Sequence, residues 1–208
     1  MSVGERWVDL SDVYTVEHAS HVDAYRGFIG AIAARIFLEH LAPVFASGAN
    51  LQDGLGAVDQ PTVSAYRFKR KIVAYLIDSG DVSLCDADRR LVFNAGLAAR
   101  AAELEPRAGE LSKRDPHGAA LVGLYRGLGE LAPEIFAGRD GMDAFAQRFG
   151  FGCSMKIWEE LMMHAPVKPP CTELLVRALT RLLQTSDHPV TVLEGGAGVG
   201  SVMRHPYC

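Results

Sequence analysis

Near the end of the chain an apolar run, an acid and a glycine-rich turn follow one another without a gap: Val190-Thr191-Val192-Leu193-Glu194-Gly195-Gly196-Ala197-Gly198-Val199-Gly200-Ser201. Val190 to Leu193 favour β structure and suit a short, buried parallel strand. Gly196, Gly198 and Gly200 then alternate strictly. Glycine there lets the main chain turn sharply and lets a ligand lie against bare backbone. The N–H groups of a following helix start would point into the same site. Strand, loop and helix start together make the first half of a nucleotide-binding α/β unit.

The loop also discriminates between ligands. The dinucleotide fingerprint is G-x-G-x-x-G. Read from Gly196 the sixth position is Ser201, and read from Gly198 it is Met203, so the closing glycine is missing from both. A phosphate-binding P-loop requires Gly-Lys-Ser/Thr, and this stretch holds no lysine. What fits is hydrophobic-Leu-Glu-x-Gly-x-Gly-x-Gly, on Val192, Leu193, Glu194, Gly196, Gly198 and Gly200. This pattern resembles the first motif of class I S-adenosylmethionine (SAM)-dependent methyltransferases. The resemblance implies that SAM is the cofactor. It implies that Glu194, Gly196, Gly198 and Gly200 wrap its methionine and ribose end, with Gly195 and Ala197 contributing backbone.

The chain upstream reads as mostly helical. Residues 12–46 carry Val22, Tyr25, Phe28, Ile29, Ile32, Ile36 and Phe37 at helical spacing. Gly27, Gly30, Ala31 and Ala34 would let a neighbour approach closely, either inside the core or across a subunit contact. Pro43 and Ser47-Gly48-Ala49-Asn50 end that unit, and residues 48–60 read as a loop. Residues 62–78 form a helix with Tyr66, Ile72, Val73, Leu76 and Ile77 on one broad face. Its Arg67, Lys69, Arg70 and Lys71 read as a solvated basic face.

Ser79-Gly80 closes that helix. Val82–Cys85, a turn at Asp86-Ala87-Asp88 and Arg90–Phe93 then read as a hairpin. Further helices are expected at residues 97–106, 117–137, 141–149 and 154–164, with Pro133 ending or kinking the second of them. Pro166–Pro170 is a rigid joint. Beyond it Leu174, Leu175, Ala178, Leu179, Leu182 and Leu183 mark an amphipathic helix.

This order of elements is similar to that of methyltransferase domains embedded in polyketide synthases, over Phe68 to Gly200. That second resemblance implies a lid over the reaction chamber and C- or O-methylation of a polyketide-type acyl substrate, small or bound to a carrier protein. The expected architecture is a mostly α-helical, lid-like domain with a small β-hairpin over residues 1–165. The first strand and loop of a truncated Rossmann-like α/β core follow over 166–208. A doubly wound core needs well over 100 residues, and only eight follow Gly200. The ribose-binding acid, the adenine contacts and a general base are absent, so no catalytic residue is assigned. The 208 residues are expected to be inactive alone.

Composition excludes other classes. Hydrophobic residues make up 49% of the chain, enough for a globular core. The net charge is −4, from 21 basic and 25 acidic residues without a basic stripe, which argues against nucleic acid. A hairpin carrying Asp86 and Asp88 opposes phosphate and argues against a DNA-binding winged helix. The longest apolar stretch, Gly27–Ala34, is far short of the roughly 18 residues of a membrane span, and no secretory signal opens the chain. Cys85, Cys153, Cys171 and Cys208 are too widely spaced for a metal or disulfide framework and read as mostly buried thiols of a cytoplasmic protein. The histidines suggest no metal site, His18 and His21 being a pair without a third ligand. The alternative reading is a non-catalytic helical interaction or dimerisation module, a homodimer formed through Gly27–Ala34.

Overall fold

The computed structural model describes residues 16–56, 63–85, 89–114, 118–150, 168–185 and the single positions 152 and 191. It is mostly helical, with one small antiparallel sheet.

Helix α1, Val16–Ile36, is the axis of the core. Phe28, Ala31 and Ala34 on it are wholly buried, as expected of a helix that is apolar nearly all round. Its small residues serve internal packing. A Cβ on Gly27 would stand 2.5 Å from Arg107 Nη1, and one on Gly30 would stand 2.9 Å from Arg100 Nη1. Absence of those Cβ atoms is what lets the side chains of the next helices cross α1 here. Of the two uses expected for these small residues, close packing inside the protein is the one seen at Gly27 and Gly30.

The chain continues from α1 through a π-helical turn, Phe37–Leu41, into α2, Ala42–Ala46. The Ala42 N–H reaches back five residues to the Phe37 carbonyl. Pro43 explains the widened turn, since its ring would collide with the carbonyl four residues earlier in a regular helix. Residues Val22–Ala46 are long and apolar enough to cross a membrane by length and composition, which the count of uninterrupted apolar residues missed; 61% of that window is buried inside the protein.

Residues 48–60 are not all loop: Leu51–Leu55 is a short helix, α3. Asn50 is its N-cap, accepting the Asp53 N–H at 2.9 Å. The cap outweighs the helix-weakening effect of Gly54, whose lack of a side chain lets the Phe45 ring lie directly on the backbone.

Helix α4, Val63–Asp78, buries Ile72, Val73 and Leu76. It ends with Gly80 at φ +74. The Asp81 N–H bonds to the Leu76 carbonyl and the Gly80 N–H to that of Ile77, a paired closure that requires the left-handed glycine. The chain then enters β1, Val82–Leu84, which pairs with β2, Leu91–Phe93, in the register Val82↔Phe93 and Leu84↔Leu91. The turn residues Asp86 and Asp88 lie outside the described residues. Cys85, expected to be buried, is exposed because it sits where the hairpin leaves the core.

The segment expected at 97–106 is two helices: α5, Gly96–Ala102, and α6, Leu104–Arg114. Pro106 does not stop α6, because it falls in the first turn, where an N–H has no helical partner to lose. Helices α7, Gly118–Phe136, and α8, Gly141–Phe149, lie as expected, and α7 continues past Pro133. Asp140 caps α8 through the Met142 and Asp143 N–H groups. Helix α9, Lys168–Gln184, begins inside the joint expected at Pro166–Pro170, with Pro169 and Pro170 in its first turn, where a missing N–H costs nothing. Residues 154–164, the boundary at 165/166 and Glu194–Gly200 lie outside the described residues.

Candidate functional site

Since the glycine loop is not among the described residues, the site they offer must be built from α1, α4 and α7. On α1, Ile29, Ile32, Ala33 and Ile36 repeat every three or four residues and so share one face. On α4, Phe68, Ile72 and Tyr75 do the same. Together with Tyr125 and Leu128 of α7 they enclose an apolar groove of about 380 Å3. Ile32, Ala33, Ile36 and Ile72 form its buried floor; Ile29, Phe68, Tyr75 and Leu128 are half-buried walls. Lys71, exposed, is the one ionised side chain among the described lining residues.

Two phenols fix the polar geometry. The Tyr25 and Tyr125 hydroxyls are 2.5 Å apart, with ring centroids at 5.8 Å in an edge-to-face arrangement. Burial, and secondly the neighbouring Tyr125, push the Tyr25 phenol far above its ordinary range. The Tyr25 phenol therefore keeps its proton, and the two hydroxyls share one mutual hydrogen bond. Tyr75 donates its hydroxyl to the Arg26 carbonyl at 2.7 Å, tying α4 to α1. Burial raises its pKa as well, against the opposing pull of Arg100 and Arg26.

A second cavity, about 310 Å3, lies on the other side of the α1–α7 seam and shares Ile32, Ile36 and Tyr125 with the groove. Its charges are matched internally: Arg35 with Glu39 at 2.8 Å, Arg126 with Glu105, and Glu130 with Arg148 at 3.4 Å. A ligand entering this cleft would have to displace those pairs. The groove makes no such demand, and an apolar concavity with a few polar groups is the usual form of a small-molecule site.

Neither cavity contains an arrangement of nucleophile and base. Among the described residues no three His, Cys, Asp or Glu side chains gather as a metal site. The side chains of His18 and His21, like Glu194, Gly195, Gly196, Ala197, Gly198 and Gly200, lie outside what the structure describes. No family model, curated protein or solved structure matches this chain.

Ile29, Ile32, Ile36 and Ile72 were legible as apolar positions, but the groove they line was not legible as a site. Lys71 was read with Arg67, Lys69 and Arg70 as a solvated face. That holds for Arg67, Arg70 and Lys71, which are exposed, Lys71 at the rim of the groove. Lys69 instead is half-buried and sits 5.5 Å over the Phe136 ring. Tyr125 carried no signal of its own, because its partner Tyr25 is 100 residues away in sequence.

Proposed function

We propose that this chain is the N-terminal portion of a class I SAM-dependent methyltransferase, with residues 1–165 as a helical lid over the substrate and 166–208 opening the Rossmann-like cofactor domain. One observation carries this reading: the unbroken run Val192-Leu193-Glu194-x-Gly196-x-Gly198-x-Gly200, directly after a β-favouring segment. Alternating glycines serve a ligand that must touch main chain, and an acid before them serves a ligand carrying hydroxyls and a cationic centre. A mostly helical domain with one small hairpin is compatible with the lid of polyketide-type methyltransferases. On that resemblance the acceptor is a carbon or oxygen of an acyl substrate, free or held by a carrier protein. Glu194, Gly195, Gly196, Ala197, Gly198 and Gly200 are the proposed cofactor residues.

The loop itself provides the test. SAM titrated calorimetrically into the protein extended through a complete core, roughly 150–200 further residues, is expected to bind and to protect the Gly196–Gly200 amides from hydrogen exchange. Gly198→Val should abolish both, because a branched side chain fills the space a nucleoside needs. Absence of heat and of protection in the unsubstituted protein overturns the reading.

A further inference from the structure

The groove between α1, α4 and α7 has a chemistry that the cofactor loop does not account for. Its floor is aliphatic and buried, through Ile32, Ile36 and Ile72. An unpaired charge would be costly there, so the floor accepts only the apolar part of a ligand. The polar groups lie at the edges. The Tyr75 hydroxyl already donates to the Arg26 carbonyl, which leaves it no proton for a guest. What remains at the rim is the Lys71 ammonium, beside the Tyr125 hydroxyl that Tyr25 already engages. No carboxylate stands among the described lining residues, and the exposed Arg67 and Arg70 on the same helix add to the positive field.

We propose that this groove binds a medium-chain carboxylate, with the alkyl chain along the isoleucine floor and the carboxylate against the Lys71 ammonium. The size fits. An apolar cavity of about 150 Å3 holds the six carbons of one benzene, and the groove offers about 380 Å3, which is ample room for a chain of about ten carbons. The sign of the charge fits as well, because the rim presents a cation and the floor presents nothing that could neutralise a second one. The four-carbon stem of Lys71 can extend the apolar wall while its head stays in water. The neighbouring cleft does not compete, since its arginines are already paired. This inference rests on the groove alone and is independent of SAM binding: the SAM titration reads Glu194–Gly200, and the experiment below reads Lys71.

Decanoate, decanol and decyltrimethylammonium, titrated calorimetrically into the full chain near neutral pH, separate the contributions of chain and charge. Decanoate should bind most tightly and the cation most weakly. Lys71→Met keeps the stem and removes the charge. It should weaken decanoate about three- to fivefold, the share of an exposed ion pair, and leave decanol unchanged. Ala33→Phe fills the floor and should weaken decanoate and decanol alike; Ile29→Trp, on the half-buried wall, serves the same purpose if the first variant does not fold. Equal affinity for decanoate and decanol, no effect of Lys71→Met on decanoate, or no heat from any of the three ligands overturns the proposal.

Discussion

At the scale of single residues, stability and polarity meet at buried groups that had to be partnered. Asp81, 6% exposed, receives Arg100 Nε at 2.9 Å and the Ser79 hydroxyl at 2.5 Å. It thereby joins the end of α4 to α5 at the point where the hairpin begins. Tyr25 and Tyr125 do the same for α1 and α7. Tyr25→Phe leaves the Tyr125 hydroxyl without its partner and should cost about 1 kcal/mol near neutral pH, read as a lower urea midpoint. The effect also depends on pH. Burial, then Tyr125, raise the folded-state pKa of Tyr25 above its unfolded value near 10. Its contribution is therefore complete below pH 10 and is lost as pH rises through the folded-state pKa, because only the unfolded chain gives up the proton in between. Urea midpoints from pH 8 to pH 11 should fall more steeply for the unsubstituted protein than for Tyr25→Phe. Parallel slopes would show that the phenol ionises freely.

At the scale of elements, close approach governs where a side chain can be added. A Cβ on Gly118, the first residue of α7, would overlap the Leu111 carbonyl oxygen of α6, and backbone cannot swing aside as a side chain can. Gly118→Ala should therefore destabilise the protein by about 1–3 kcal/mol. Gly123, five residues on in the same helix, has nothing within 4 Å of an added Cβ. Gly123→Ala should stabilise by about 0.4–1 kcal/mol, chiefly by restricting the unfolded chain. Thermal melts of both variants check the pair, and a shared sign would mean that helix propensity outweighs packing here.

Local rules made α4, α8 and the hairpin legible in the sequence, because each has a regular pattern, with turn chemistry such as Gly80 after α4 marking where one element ends. They missed α3, although Asn50 with Asp53 three residues on was a readable cap, because Gly48, Gly54 and Gly56 masked it. They expected one helix over 97–106 where the chain forms α5 and α6, with Pro106 in the first turn of the second. The groove was beyond such rules altogether. Its walls come from α1, α4 and α7, and nothing in the local pattern of Phe68, Ile72 or Tyr75 says which helix they will face.

At the scale of the whole molecule, α1 is the element around which the rest is arranged. Phe28, Ala31, Ala34 and Phe37 join Leu76, Val82, Leu97, Leu111 and Val122 in one cluster, and Phe68 links it to a smaller one between α7 and α8. This arrangement gives a physical reason for an N-terminal segment apolar enough to cross a membrane: its apolar surface is covered by the helices wrapped around it. Helix α9 differs. Its sequence is amphipathic, yet Leu175 and Leu183 are each 46% exposed, so the main cluster does not depend on them. The two regions should respond to substitution on separate scales. Leu76→Ala empties a fully enclosed site and should cost about 2–5 kcal/mol. Leu175→Glu and Leu183→Glu should each stay within about 0.5 kcal/mol, as surface changes do. Urea denaturation followed by circular dichroism measures all three. A loss at Leu175 comparable to that at Leu76 would mean that α9 is part of the same cooperative core. Near-neutral results at both leucines would mean that the helical domain keeps its stability without them, as expected if α9 belongs to the cofactor domain that opens at residue 166 on the methyltransferase reading.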